Sequence, residues 1–179
     1  MAQILEFSQL RAGRSQTNET VCCYCDAART AREHFAGQLK DLYRTSSKPR
    51  VLCLETLEGG IPAIPGGWDL IYSASFFNSL PNPAARQVVK SAVARLGPSG
   101  RLLIANVRPE VRLERCPLCQ KSGSIHRGEI AMIELAKDLP ADSVTGQLIF
   151  RDRLGLNTYL ELHKNATVLA ELLPLRKIG

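Results

Sequence analysis

The sequence predicts an α/β domain, on three observations. Short, nearly unbroken apolar runs stand at 50–54, 68–73 and 101–106; a helical pattern lies between the second and third; and two strand-like segments flank a polar turn near 152–157. Runs that are apolar on both faces belong to strands covered on both sides, the usual state of a parallel sheet. Of the 179 residues, 45% are hydrophobic and 22% charged, the mix of an ordinary globular domain and not of a disordered chain. That length corresponds to one domain with enough material for a core.

Residues 1–20 are polar with weak structural signals, and 1–25 read as an N-terminal arm. From Asp26 to Arg44 the chain reads as a helix, with Phe35, Leu39, Leu42 and Tyr43 on one face. Thr45-Ser46-Ser47-Lys48-Pro49 breaks it, and Arg50-Val51-Leu52-Cys53-Leu54 is a short strand. Four glycines and two prolines within 58–67 exclude helix or central strand, so this is a loop. Trp68 to Ser73 is the second strand. Asn82-Pro83 supplies an N-cap and a first-turn proline for a helix with Ala85, Val88, Val89, Ala92 and Leu96 on one face, ended by Gly97-Pro98.

Arg101 to Asn106 is the third strand, and the strand–helix–strand order predicts a parallel unit with a right-handed crossover. Residues 108–123 are irregular. A helix follows from about Gly128 to Leu139, with Ile130, Ile133 and Ala136 or Lys137 on successive turns. Gln147-Leu148-Ile149-Phe150 and Thr158-Tyr159-Leu160-Glu161-Leu162, around a turn rich in Asp, Gly and Asn, predict an antiparallel hairpin. The α/β domain thus spans 26–164. The tail, 165–179, carries Val168, Leu169, Leu172 and Leu173, the material for a short helix.

No stretch approaches the roughly 18 apolar residues of a membrane span, and Met1 to Arg14 lacks the apolar core of a signal peptide. The expectation is a cytoplasmic protein, whose six cysteines in a reducing compartment are not a disulfide framework. The net charge of +6 and pI of about 9.2 raise the prospect of an anionic partner. The positive residues occur as pairs, such as Lys48 with Arg50 and Arg176 with Lys177. Nucleic-acid binding surfaces gather charge on one face, so a solvated basic surface is the better reading.

Four segments in order carry a family resemblance. Trp68-Asp69-Leu70-Ile71-Tyr72-Ser73-Ala74-Ser75-Phe76-Phe77-Asn78-Ser79-Leu80, Pro98-Ser99-Gly100-Arg101-Leu102-Leu103, Ile125-His126-Arg127-Gly128-Glu129 and Asp152-Arg153-Leu154-Gly155-Leu156-Asn157-Thr158-Tyr159-Leu160-Glu161 resemble class I S-adenosylmethionine-dependent methyltransferases. Within that class they are most similar to bacterial enzymes of the fatty-acid methyl ester type. The resemblance covers about residues 50–164 and implies a Rossmann-like methyltransferase sheet, mostly parallel, closed by an antiparallel hairpin. It is a shortened sheet, because residues 55–67 are too few to hold the second and third strands of the full fold.

The resemblance implies S-adenosylmethionine as cofactor and methyl transfer to a small molecule or acyl carboxylate. Family members hold the cofactor with a glycine-rich turn after the first strand and an acidic residue ending the second. Here that turn reads Glu55-Thr56-Leu57-Glu58-Gly59-Gly60, without the family's glycine pattern. Open α/β sheets place ligands at the carboxyl ends of their strands, so the candidate cofactor residues are Glu55, Gly59, Gly60, Ser73, Ala74, Ser75 and Phe76. Gly59 and Gly60 also suit a plain turn. Asn78 stands where the family has an acidic residue, and His34, His126 and His163 read as surface or packing histidines, so no catalytic residue is assigned.

Cys22-Cys23-Tyr24-Cys25 and Cys116-Pro117-Leu118-Cys119 each hold a Cys-x-x-Cys pair. Two such pairs can close a tetrahedral zinc site with Zn–S distances of about 2.3 Å. The candidate metal ligands are Cys22 (or Cys23), Cys25, Cys116 and Cys119. Independent thiols and a redox pair are the other readings, and Cys53, inside a strand, reads as core. The pairs lie far apart in sequence, so only the fold could bring them together.

Three functions stay open: a small-molecule methyltransferase; a non-catalytic, methyltransferase-derived scaffold that the zinc would stabilise; and a zinc-containing basic nucleic-acid-binding module. The missing strands would leave the first strand as an edge, which predicts a homo-oligomer or heteromer through that edge.

Overall fold

A computed structural model of the chain describes residues 23–56, 65–111 and 123–166. Its centre is a five-stranded sheet: β1 (Val51–Cys53), β2 (Trp68–Ser73), β3 (Leu96–Val107), β4 (Val144–Arg151) and β5 (Asn157–Lys164), in the order β1-β2-β3-β5-β4. β1, β2 and β3 are parallel, and β5 runs antiparallel to both β3 and β4. The hairpin therefore reaches the sheet through its second strand, and β1 forms one edge of the sheet.

Alternation along the strands divides the core into two layers. Leu70 of β2, Leu103 and Ala105 of β3 and Tyr159 of β5 face the first helix, α1 (Cys23–Thr45), and pack with Ala31 and Phe35. Ile71, Leu102, Ile104, Leu160 and Leu162 face the other way, onto α2 (Asn82–Arg95) and α3 (Glu129–Ile133), meeting Ala85, Val89, Ala92 and Met132. Both faces of the central strands are covered, hence their continuous apolar runs. Lys164, at the end of β5, donates from Nζ to the carbonyls of Leu96 (2.7 Å) and Ala94 (3.2 Å), closing the carboxyl end of α2.

Several local expectations are corrected. In α1 the expected face holds for Phe35, Leu39 and Leu42, which pack with Ala31 on the sheet, but Tyr43 is 51% exposed; the buried stripe also takes in Ala27, and small residues at i and i+4 let the helix sit close to the sheet. α2 is capped at Pro81, whose carbonyl accepts from Ala85 N–H at 2.8 Å. Asn82 is thus already helical, and its side chain serves Arg127 instead. The helix ends at Arg95, and β3 begins at Leu96, before Gly97-Pro98. The backbone bends through Ser99 (φ 60°) as the register against β2 shifts. Gly100 is required there, since a Cβ would stand 2.5 Å from the Trp68 carbonyl oxygen.

The helix expected over 128–139 is an α-helical turn, α3, continued by a 3-10 turn at Glu134–Ala136. Its buried residues are Met132 and Leu135, and the two isoleucines point outward.

Candidate functional site at the carboxyl ends of β1 and β2

β1 runs directly into a 3-10 turn, Leu54–Thr56, which sets Glu55 beyond the strand end and beside the end of β2. One carboxylate oxygen of Glu55, Oε1, receives four donors, from the last residue of β2 and the three residues that follow it. The Ser73 hydroxyl donates at 3.0 Å, and the backbone N–H groups of Ala74, Ser75 and Phe76 at 2.5, 2.7 and 3.2 Å. The other oxygen accepts from the Cys53 thiol at 2.9 Å. Consecutive amides opening a turn have no intrahelical partner and favour an anion. Glu55 is that anion, supplied by the chain itself.

The turn so held is a 3-10 segment, Phe76–Ser79, with Phe77 and Asn78 buried. Its far end is held by Arg127, one of the largest fully buried side chains. Nη1 donates to the Phe77 carbonyl at 2.6 Å, Nη2 to the Leu80 carbonyl, and Nε to Asn82 Oδ1 at 3.0 Å. All three acceptors are neutral, and burial pulls the Arg127 pKa below its ordinary value. Asn78 joins the turn to β3: its Oδ1 accepts from Val107 N–H at 3.1 Å and its carbonyl from Ile125 N–H at 2.6 Å. At this position an amide is needed for packing, and it does the work of a crosslink.

Cys53 and Tyr72 are direct partners in the β1–β2 register. Burial first, then the Glu55 charge and its hydrogen bond, push the Cys53 thiol up to about 12. Burial and the neighbouring Cys53 and Glu55 raise Tyr72 as well. Both groups keep their protons at neutral pH, and the thiol is no nucleophile.

Five of the seven cofactor candidates, Glu55, Ser73, Ala74, Ser75 and Phe76, are therefore brought together, as partners of one another. Gly59 and Gly60 lie outside the described residues. So do Cys22, Cys116 and Cys119; Cys23 and Cys25 fall in the first turn of α1, with their side chains outside that description. Among the described residues no group of three or more potential metal ligands occurs. The histidines are elsewhere. His34 packs between Phe150 and Tyr159 (ring centroids 5.4 and 4.7 Å away), and His163 Nε2 meets Glu161 at 2.9 Å. His126 follows Ile125 on the segment crossing the end of β3.

The sequence reading missed Arg127, Cys53 and Tyr72 as members of this junction. A signal was present for the first: an arginine flanked by apolar and small residues in Ile125–Glu129, a segment carried by the resemblance. In the hairpin motif, Asp152 Oδ1 accepts from Leu156 N–H (2.8 Å) and Oδ2 from Asn157 N–H (3.0 Å). The Asn157 amide donates to the Ala27 carbonyl at 2.8 Å, fastening the hairpin to α1.

This strand order, with a parallel half closed by an antiparallel hairpin, is a class I methyltransferase fold in shortened form. Among solved structures the chain is similar to OxaC in complex with sinefungin and meleagrin, at 13% identity over 77% of this chain and 41% of that one, with a TM-score of 0.50. It is also similar to magnesium protoporphyrin IX methyltransferase (ChlM) from Synechocystis with bound SAH, at 12% identity, 61% and 50% coverage and a TM-score of 0.43. A third is the S-adenosylmethionine-dependent methyltransferase SibL in its apo form, at 11% identity, 61% and 35% coverage and a TM-score of 0.46. The chain spans half or less of each of these proteins, and at such identities the likeness concerns the fold. No family model and no curated protein matches the sequence.

Proposed function

We propose that this chain is a methyltransferase-derived scaffold whose ligand end has become an internal structural junction. The observation that carries this reading is the Glu55 carboxylate. S-adenosylmethionine presents a carboxylate and an amine on its methionine side, and backbone N–H groups at a strand end are the natural partners of that carboxylate. Here the amides of Ala74, Ser75 and Phe76 and the Ser73 hydroxyl already serve Glu55. The described residues therefore do not fit the cofactor, and no methyl-transfer step is derived through them. Calorimetry of the full chain with S-adenosylmethionine and S-adenosylhomocysteine tests this: no heat at millimolar ligand is expected. Saturable binding at about 100 μM or tighter would restore the finer reading, methyl transfer to a small molecule or acyl carboxylate.

A scaffold needs a partner, and β1 is the edge at which one would add. Its residues Val51–Cys53 are only half-buried, and edge strands recruit further strands. We expect a homo-oligomer or heteromer; a strictly monomeric mass in light scattering at high concentration counts against it.

A zinc staple between the two Cys-x-x-Cys pairs is a second reading, drawn from the sequence spacing. Ala27, two residues after Cys25, shares a buried cluster with Val111, five residues before Cys116. Metal analysis of protein purified without chelator is expected to find one zinc per chain, lost on substitution of Cys116 and Cys119 by serine; a metal-free, equally stable protein would refute the staple.

A further inference from the structure

Residues directly opposite one another in an antiparallel ladder share a face of the sheet. Near the carboxyl end of β3 one such row is Asn106 of β3, Thr158 of β5 and Arg151 of β4. It lies on the face turned to α3, since Arg151 donates from Nε to the Glu129 carboxylate in the first turn of that helix. The neighbouring row on the same face, Ile104, Leu160 and Ile149, is apolar and packs with Met132.

Asn106 and Thr158 are both fully buried, at 0% exposure. Yet Nδ2 and Oδ1 of Asn106 and Oγ1 of Thr158 have no hydrogen-bond partner. Turning the carboxamide over only exchanges its two ends, so both stay unserved. Buried polar groups are paired almost without exception, because an unpaired one gives up its hydration and gains nothing in return. The two residues are register partners, but their polar atoms do not bond directly, so a third group has to lie between them. Asn and Thr are also smaller than the Ile and Leu of the next row and fill less of the layer under α3.

The outer end of the row is closed by the Arg151–Glu129 ion pair, with Arg151 54% exposed. Its inner end is neutral and offers an amide and a hydroxyl. Such a pair suits a small neutral molecule that both donates and accepts. We propose that Asn106 and Thr158 form an internal water site, in which an ordered water accepts from Asn106 Nδ2 and donates to Thr158 Oγ1. A buried water needs roughly two to four polar partners, and the amide and hydroxyl supply two. The water then ties β3 to β5 through their side chains, where the neighbouring row does so by apolar packing.

Water-oxygen magnetic relaxation dispersion on the full chain counts long-lived internal waters and tests the site. Thr158→Val keeps the side-chain shape and removes the hydroxyl, and Asn106→Leu removes the amide. Each is expected to lower the count by about one water per chain, and the double variant should lose no more than either alone. Far-UV circular dichroism checks the fold of each; if Asn106→Leu does not fold, the nearly isosteric Thr158→Val decides. An unchanged count in Thr158→Val would overturn the proposal, and a direct bond between the two side chains would take its place. Losses that add in the double variant would overturn it too, because each group would then hold a water of its own.

Discussion

Glu55 and Arg127 hold opposite ends of one 3-10 turn: the carboxylate gathers the amides of Ala74–Phe76 at its start, and the guanidinium gathers the carbonyls of Phe77 and Leu80 at its finish. Each charge sits where the partial charges of the turn favour it. Neighbouring parallel strands, the turn after β2 and the segment before α3 are thereby joined through two side chains. This is the end of the sheet at which open α/β folds place their ligands.

Loss of the anion should be felt as loss of a cap. Glu55→Ala is expected to cost about 1 kcal/mol, in the range of capping substitutions, since the residue itself is exposed. Glu55→Gln keeps an acceptor and should cost less. Urea unfolding measures both; equal stability of Glu55→Ala and the parent would mean that the four contacts are decorative.

Loss of the cation should cost more. Arg127→Met leaves the Phe77 carbonyl without its guanidinium donor in a buried site, for a loss of about 2–4 kcal/mol over the acceptors released. Arg127→Lys keeps the charge but cannot span three acceptors, so an intermediate loss is expected. A stabilised Arg127→Met would show that burying the charge outweighs its hydrogen bonds.

Cys53 should be nearly inert. With its thiol pushed up to about 12, it carries on the order of a thousandfold less thiolate at pH 8 than an ordinary cysteine. Mass spectrometry after timed iodoacetamide treatment should find it among the last cysteines to be alkylated. Glu55→Ala removes one of the causes and should speed its reaction. Alkylation of Cys53 at the rate of a free thiol in the parent would contradict the geometry.

Acid should weaken the docking of α1. Burial lowers the His34 pKa below 6.5, against the opposing pull of Glu161 and Asp152. In the unfolded chain the imidazole then takes its proton first, so stability falls as pH drops through about 6.5 and levels off below the folded value. Melting temperatures at pH 7.5 and 5.5 should differ by more in the parent than in His34→Gln. An identical pH dependence in the two would remove His34 from the account.

The elements legible in the sequence were those whose burial is two-sided or one-sided throughout. β2 was read at its observed bounds because Leu70 and Ile71 face opposite covered layers. α3 was misread because its periodicity favours Ile130 and Ile133, while the observed 3-10 continuation turns Met132 and Leu135 inward. The strand-end residues were found from the general rule that ligands sit there. Their mutual hydrogen bonding was not, since nothing in a Glu-Thr-Leu-Glu run says that its first carboxylate folds back across to the next strand. Arg127 acts over some fifty residues of sequence, through a contact that only the fold creates.

The most direct test of the central claim is a nuclear magnetic resonance titration of the full chain with S-adenosylmethionine, following the backbone amides of Ala74, Ser75 and Phe76. If Glu55 holds them, their resonances should stay fixed up to millimolar ligand and move in Glu55→Ala alone. Saturable shifts of those three amides in the parent protein would mean that the cofactor displaces Glu55, and that the strand end is a working site.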